Sequence, residues 1–583
     1  MPATLTASVC LVAFLILSAS ACTRGGPDNV ADLVLLNGQI ATLDASRPTA
    51  QAIAVTGDRI TEVGSDEDIR PLTGSQTEVI DLRGRLVIPG FIEGHGHFLQ
   101  LGTAKTILDL SGAPTWDAIV ASVAVAAGRA KPGEWILGHG WHQEKWVRPP
   151  TPSIEDNPVH AALSAISPDN PVYLTHASGH AGFANERALQ IASISAKTPN
   201  PAGGEIVRDA RGQPSGLLRE TAQGLVTRAL AQFESKRTEA ERSADARRMV
   251  ALAGDEALKN GVTSFHDAGA APAVIDLFKQ LADEAALPIR LYVMLRVGSP
   301  RTESASNESL DELLPRYRTV GYGNNFLTVR SIKRQIDGAL GSHGAWLLQP
   351  YDDLPRSTGL VLEPVADIER TAELAIRHGY QLNTHAIGDR ANREVLNLYE
   401  RVFRSHPDLK DLRWRIEHAQ HLAPGDVPRF AKLGVIASMQ AIHAVSDGPW
   451  VPQRIGPKRA EEGAYLWRSL ADSGAVVTNG TDVPVEKIDP IAGFHASVTR
   501  RLPGGAMFFA GQRMTREQAL RSYTANNAYA AFEEDLKGSL VPGKLADIVV
   551  LSHDIMTIPE DQIRKTQVDF TIVGGHVKYR RVQ

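Results

Sequence analysis

Apolar runs of β type alternate with helical stretches along the middle of this 583-residue chain. This alternation is typical of a parallel α/β architecture, in which helices connect successive strands. Eight candidate strands can be counted, and eight favours a closed (β/α)₈ barrel of TIM type. They are RLVIPGFIEGH, GVTSFHD, IRLYVML, LTVRSIKRQID, YQLNTH, WRIEHAQ, GVIASMQ and AVVTNGTD. We therefore predict an α/β fold whose barrel occupies residues 89–536.

The segment between the first two candidate strands, about residues 98–255, is too long for a single crossover connection. It contains a helix-like run, DAIVASVAVAAGRA, and a segment rich in glycine, tryptophan and histidine, GHGWHQEKW. We therefore expect a large insertion after strand 1, and we expect it to shape any pocket at that end of the barrel.

Both ends of the chain are rich in short β-type runs separated by turn residues. Residues 32–88 contain DLVLLNGQIATLD and AIAVTGDRITEVG, and residues 537–583 contain LADIVVLSHD and VDFTIVGGHVKY. Because chain ends often lie close together, the two segments are expected to form one small β-sandwich. The alternative is two unrelated β-hairpins.

The overall composition restricts the class of protein. Hydrophobic residues make up 43% of the chain and charged residues 22%, which is typical of a soluble globular protein and excludes a disordered or fibrous one. Lys and Arg number 61 against 66 Asp and Glu, a net charge of -5. Nucleic-acid binding is therefore not expected.

The first 22 residues have the pattern of an export segment. An apolar run, Val9 to Leu17, precedes the small residues 18–21 and then Cys22. The run is too short to span a bilayer, and a Cys in this place resembles a bacterial lipoprotein cleavage site. We expect an exported protein on the periplasmic or extracellular face, attached to a membrane through lipidated Cys22. Plain export and an unprocessed apolar N-terminus are the alternatives.

The first candidate strand ends in Gly94-His95-Gly96-His97. Residues two apart in a strand face the same side, so the imidazoles of His95 and His97 can point at one cation. Neutral imidazole is a common ligand of zinc and related ions. A pair of histidines alone is equally compatible with a structural role.

Four further candidate strands end in residues that suit a metal site, namely Lys333, His385, His418 and Asp482. Barrel enzymes place their functional groups at the carboxyl ends of the strands. A single residue of this kind is commonly structural. The series of such residues on separate strands, together with His95 and His97, indicates a metal-dependent active site.

With these motifs the sequence resembles the amidohydrolase superfamily of metal-dependent hydrolases, in particular the amidohydrolase 3 branch that includes N-substituted formamide deformylase. The resemblance covers nearly the whole chain after the export segment. Its most specific pieces are PGFIEGHGH, GVTSFHDAG, IKRQIDGALGS, NTHAIGDRA, RIEHAQ, GTDVP and PGKLADIVVL.

The resemblance implies the roles of the site residues. It implies one or two divalent metal ions. The His-rich ligand set makes zinc the default, with Mn, Fe, Co or Ni as alternatives. It assigns His95 and His97 to one metal and His385 and His418 to a second, with carboxylated Lys333 as the bridging ligand. Asp482 would contact metal and water, and could accept the water proton as a catalytic base. If Lys333 is only a surface lysine, the histidines and Asp482 could still hold one metal.

Five further residues are candidates for substrate binding. His180, in LTHASGHAGF, could stabilise an oxyanion, whereas a solvent-exposed loop histidine is the alternative. Trp141 could provide an apolar pocket wall or be buried in the core of the insertion. Glu220 could face the substrate or only cap a helix. Gln440 and His443 follow the seventh strand and could contact substrate from the loop.

The function implied by this branch is hydrolysis of a non-peptide C–N bond, most directly in a linear N-substituted amide or formamide. Cyclic imides, ureas and carbamates are alternative substrates on the same fold, and so is deamination of a ring. An exported binding lipoprotein without catalysis is the alternative of a different class. The expected partner is a small-molecule amide, and a homodimer is the default oligomer.

Overall fold

The computed structural model describes residues 30–298 and 309–582. The export segment predicted for residues 1–22 lies outside them. Within the described ranges, no helix combines the length and the apolar character needed to cross a membrane.

A barrel of eight parallel strands forms the centre of the molecule. The eight predicted strands are confirmed, and we label them β1 to β8: Phe91–Gly96, Val262–Ala270, Arg290–Leu295, Leu327–Gln335, Gln381–Ala386, Arg415–His418, Ile436–Met439 and Val477–Asn479. Each strand pairs with the next in chain order, and a short antiparallel strand, Thr319–Gly321, adds to β4. The fold is therefore the predicted TIM-type barrel.

Hydrogen bonds at the carboxyl ends of β8 and β1 bring the two edge strands together. The backbone N–H of Asp482 donates to the carbonyl of His95 over 2.7 Å. The N–H and the hydroxyl of Thr481 both donate to the buried carboxylate of Glu93, over 2.6 and 2.8 Å. These contacts place the residues that follow β8 directly beside the end of β1.

Helices cover the outside of the barrel, and an apolar face is what lets a helix pack there. In Asp389–Ser405, for example, Val395, Leu396, Tyr399 and Val402 are buried. The helices of the barrel and of the chain after it are Phe98–Ala104, Glu239–Lys259, Pro272–Asp283, Leu310–Tyr317, Tyr322–Asn325, Val365–His378, Asp389–Ser405, Val427–Leu433, Ala441–Asp447, Val451–Ile455, Pro457–Gly463, Trp467–Asp472, Pro490–Thr499, Arg516–Ser522, Ala525–Ala530 and Glu560–Ile563.

The insertion after β1 is a separate layer with its own cores. Its sheet contains, in spatial order, Gly204–Arg208, Pro214–Glu220, Ala181–Ala184, Val172–His176, Ile136–Trp141 and Leu108–Asp109. Its helices are Trp116–Ala127, Ala161–Ile166, Glu186–Ile191 and Gln223–Glu234, and a hairpin joins Ser153–Ile154 to Asn157–Pro158.

The two boundaries predicted for the insertion, 98 and 255, fall in helices that belong to the barrel layer. Glu239–Lys259 leads into β2, and it packs on Phe98–Ala104 so closely that a Cβ at Gly102 would collide with the Met249 carbonyl. The elements of the inserted sheet and its helices span residues 108–234.

The two chain ends form the predicted small sandwich. One sheet has the order Arg59–Gly64, Ala52–Thr56, Leu33–Leu36, Glu78–Asp81, and the other has the order His576–Arg580, Val568–Val573, Ile548–Leu551, Leu86–Pro89, Gln39–Ala41, Thr49–Ala50. Leu35 and Ile53 share a hydrophobic core with Ile548 and Ile572, so both ends of the chain contribute residues to the core of the sandwich. A buried ion pair between Arg290 and Asp547, with a 2.8 Å contact, joins the sandwich to β3 of the barrel.

Candidate active site

The six residues predicted as metal ligands come together at one end of the barrel. His95 lies in β1 and His97 directly after it, whereas Lys333, His385 and His418 lie near the carboxyl ends of β4, β5 and β6. Asp482 follows β8 in a left-handed backbone conformation, with φ +55°. Such a conformation is uncommon for a residue other than glycine and recurs at functional sites.

His95, His97 and Asp482 form a compact group of potential metal-ligand atoms, all within 4.8 Å of one another. The Asp482 Oδ1 atom lies 3.2 Å from His97 Nε2 and 3.6 Å from His95 Nε2. Two imidazole nitrogens and one carboxylate oxygen are a donor set that zinc and similar divalent cations accept. The residues present therefore fit a divalent metal.

Hydrogen bonds behind the histidines fix their orientation. His95 Nδ1 is hydrogen-bonded to Glu417, which also lies 3.4 Å from the Arg415 guanidinium. His418 Nδ1 lies 2.8 Å from the Gln440 side-chain oxygen. If Nδ1 carries the proton in both rings, Nε2 is the atom left for a metal, the arrangement commonly found around ligating histidines.

The charge states also suit metal binding. Burial lowers the pKa of His95 to about 4 and holds the pKa of His418 well below its usual range. Burial alone would raise the pKa of Asp482. The contacts with His97, His95 and His418 outweigh burial and keep the pKa of that carboxyl well below its usual value. Neutral imidazoles and an ionised carboxylate are the ligand forms that a metal requires.

Lys333 lies inside this group and is only 3% exposed. Its Nζ atom lies 3.4 Å from His95 Nε2. Burial is the main cause that lowers the pKa of Lys333 to about 8, and nearby Arg296 adds to the effect. A lysine amine reacts with carbon dioxide only when it is unprotonated, and the lowered pKa increases the fraction of Lys333 in that form.

His385 completes the row of rings across the barrel mouth. Its ring centroid lies 4.5 Å from that of His418, which in turn lies 4.6 Å from that of His95. The His385 Nε2 atom is 3.5 Å from Asp337. The structure thus brings together all six predicted ligands, while their individual roles stay predictions.

The sequence profile of the amidohydrolase family matches residues 78–579. The chain belongs to the amidohydrolase family. This confirms the family that the motifs predicted, and the barrel, the metal-type donor set and the buried lysine are all features of this amidohydrolase.

Individual relatives match over nearly their whole length. The amidohydrolase is 34% identical to Protein LONG AFTER FAR-RED 3 of Arabidopsis thaliana, over 94% of this chain and 92% of that protein. It is 29% identical to the N-substituted formamide deformylase of Arthrobacter pascens, over 94% of this chain and 98% of that protein. An uncharacterized metal-dependent hydrolase from Pyrococcus horikoshii has a similar structure, with a TM-score of 0.70 and 25% identity over 91% of this chain and 99% of that one.

The insertion contributes a histidine and a carboxylate to the site of the amidohydrolase. His180 Nδ1 lies 2.9 and 3.1 Å from the two oxygens of Glu220, and the His180 ring lies 5.3 Å from that of His385. Both residues are buried, so His180 is not the solvent-exposed loop histidine of the alternative interpretation.

Glu220 is held where the insertion meets the loop after β4. It has φ +49°, and a Cβ at either Gly338 or Gly344 would collide with its carboxylate. The Oε1 atom, the carboxylate oxygen that faces both glycines, accepts a hydrogen bond from the Ser342 hydroxyl over 3.3 Å. The two glycines therefore provide the space that this carboxylate needs beside His180.

The other three predicted substrate-binding residues differ in their surroundings. Gln440 contacts His418 and thus supports a predicted ligand, whereas His443 stacks on His418 at 6.4 Å and borders a cavity at the site. Trp141 is buried in the core of the insertion, where its indole N–H donates to the Leu174 carbonyl. It borders a neighbouring cavity that the predicted ligands do not line.

Sequence reasoning did not identify Glu417 and Asp337. Burial alone would raise the pKa of Glu417. The nearby Arg415 and His95 have the larger effect, and they hold the pKa of this carboxyl well below its usual range. The Asp337 carboxylate accepts backbone hydrogen bonds from Trp346, Ile387 and Gly388, and so joins the loops after β4 and β5. The available signals were the Glu that directly precedes His418 in the RIEH segment and the Asp of the IDG segment.

Proposed function

We propose that this amidohydrolase hydrolyses the C–N bond of a linear N-substituted amide or formamide. The observation that carries the proposal is the compact group of His95, His97 and Asp482 with a buried lysine of lowered pKa beside it. The similarity to an N-substituted formamide deformylase over nearly the whole chain supports the choice of bond.

In this proposal His95, His97 and Asp482 would hold one divalent metal, with zinc as the favoured ion. His385 and His418 would hold a second, and Lys333 as its carbamate would be a ligand of both. The similarity to a solved metal-dependent hydrolase supports the use of metal. A bound divalent cation supplies Lewis acidity and can lower the pKa of water to about 7.

The protein's own groups then direct the proton and the substrate. Asp482 is ionised and can take a proton from the attacking water and give it to the leaving amine. A C–O bond forms, the C–N bond breaks, and the products are a carboxylic acid and an amine. In this proposal His180 interacts with the substrate carbonyl oxygen, and its hydrogen bond with Glu220 would orient the ring for that role.

Turnover of a panel of simple amides by the metal-loaded protein tests the proposal. We expect release of formate or another acid from linear N-substituted amides, loss of that activity with a chelator, and its return with zinc. Preferential hydrolysis of cyclic imides or carbamates would contradict the proposed substrate class. Failure to hydrolyse any amide would contradict the proposed reaction.

A further inference from the structure

The cavity beside the predicted ligands, the site cavity, has His418 and Asp482 in its wall. Three chain segments that are far apart in the sequence supply other parts of this wall. They contribute His142 from the insertion, Gly341 from the loop after β4 and Trp450 from the segment after β7. The shape of the site cavity therefore depends on how these three segments are held against one another.

His142, Gly341 and Trp450 meet in one place. The ring centroids of His142 and Trp450 lie 6.0 Å apart, and both side chains are buried. A Cβ at Gly341 would lie 3.4 Å from the Trp450 ring and 3.8 Å from His142 Nε2, which is ordinary van der Waals contact. The three segments thus form one continuous piece of the wall.

A single arginine, Arg454, contacts all three segments. Its guanidinium donates to the carboxylate of Glu144 in the insertion over 2.6 Å and to the carboxylate of Asp353 in the loop after β4. It also donates to the Gly341 carbonyl over 3.5 Å, and its central carbon lies 5.7 Å from the centroid of the Trp450 ring. The two carboxylates are 310 and 101 residues away from Arg454 in the chain. This side chain therefore joins segments that the sequence keeps apart.

The hydrogen bonds around the ion pairs connect them to both rings. The backbone N–H of Glu144 donates to His142 Nδ1 over 3.2 Å, within a short turn that starts at His142. The backbone N–H of Arg454 donates to the Trp450 carbonyl over 3.3 Å. Each ring is thus one hydrogen bond away from the pair of Arg454 and Glu144, so the ion pair can fix the distance between the rings.

The surroundings of Arg454 strengthen its ion pairs. The arginine side chain is 9% exposed, whereas the side chains of Glu144 and Asp353 are 25% and 28% exposed. Partial burial reduces the screening of the charges by water and salt, so such pairs contribute more than fully exposed ones. Water can still reach both carboxylates when the arginine is replaced. The fold should therefore tolerate the replacement while the segments lose their common link.

We propose that Arg454 is a positioning residue for substrate binding: through Glu144 it holds His142 of the insertion against Trp450 and so sets the width of the site cavity. Arg454 is not among the described residues that line this cavity, so it acts through the two rings. The inference rests on the proposed function, which places the substrate beside His418 and Asp482. It extends that function by assigning a role to the junction between the insertion and the barrel.

The test measures kcat and KM of the metal-loaded full chain with the amide that it hydrolyses best. Arg454→Met should raise KM about fivefold to fiftyfold with a smaller change in kcat, because the wall loses its spacing while the predicted ligands stay in place. Arg454→Lys should have an intermediate KM, since it keeps the charge but not the planar group that serves two carboxylates. Glu144→Gln should also raise KM, and adding it to Arg454→Met should change KM little further.

Arg356→Met is the matched control. Arg356, in the loop after β4, also pairs with a carboxylate of the insertion, Glu155, over 2.7 Å, but its side chain is 70% exposed. An exposed pair of this kind contributes little, so KM should stay at the wild-type value. Unchanged KM in Arg454→Met, or an equal rise in Arg356→Met, would overturn the inference and leave the hydrolase in place. Additive effects of Glu144→Gln and Arg454→Met on KM would overturn it as well.

Hydrogen exchange separates this inference from the proposed function. If no amide is hydrolysed, the backbone amides of residues 142–146 can still be compared between the wild type and Arg454→Met. We expect exchange about tenfold faster in the variant, and an unchanged rate in Arg356→Met. Equal exchange in wild type and Arg454→Met would overturn the inference. If Arg454→Met does not fold, Glu144→Gln gives the same comparison, because it breaks the link from the side of the insertion.

Discussion

Glu417 in β6 and His95 in β1 are hydrogen-bonded to each other inside the barrel although 322 residues separate them in the chain. Glu417 also lies 3.4 Å from the Arg415 guanidinium, which compensates part of its negative charge. The contact holds Nδ1 of His95 and leaves Nε2 directed towards Asp482. The orientation of a predicted ligand is therefore set by a strand across the barrel.

Glu417→Gln should weaken metal binding by about tenfold to a hundredfold, because the neutral amide orients His95 less firmly and makes its nitrogen less basic. Metal titration with a competing chelator measures the effect. Thermal unfolding of the same variant checks that the barrel still forms, since Arg415 loses its ionic partner. Wild-type affinity in a folded variant would remove Glu417 from the metal-supporting role.

Asp482→Asn should reduce turnover by about 10²- to 10⁴-fold, the range expected when a catalytic base is lost. The side chain keeps its size, so the protein should remain folded. Steady-state kinetics together with metal analysis separates a lost base from a lost ligand. A rate close to that of the wild type would contradict the proton-transfer role of Asp482.

Glu220→Gln should lower kcat with little change in KM, because the isosteric amide fills the space beside Gly338 and Gly344 but no longer holds His180 as a charged partner. Glu205→Gln is a control at a carboxylate that pairs with Arg219 in the same layer. An equal effect of the two substitutions on kcat would indicate that Glu220 only stabilises the insertion.

Cys22→Ser should release the protein from membranes if Cys22 is lipidated, since the anchor would be lost. Cys10→Ser, within the preceding apolar run, is the matched control and should leave the distribution between fractions unchanged. Fractionation of cells that express each variant measures the outcome. Unchanged membrane association of Cys22→Ser would contradict lipidation.

Much of the site could be predicted because its residues end apolar strands, and the barrel brings such ends together. Lys333 and Asp482 were identified in this way. Glu417 was not, because its significance depends on its contact with His95, which lies 322 residues away in the chain. The same limit applies to Trp141, whose surroundings come from the fold of the insertion.

The metal content per chain of the wild type and of Lys333→Ala, purified side by side with bicarbonate present, tests the central claim most directly. We predict nearly two metals in the wild type and a clear decrease in the variant, because the proposed carbamate of Lys333 would be a ligand of both metals. One metal in both proteins would contradict the bridging role of Lys333. No metal in either protein would contradict the metal-dependent mechanism itself.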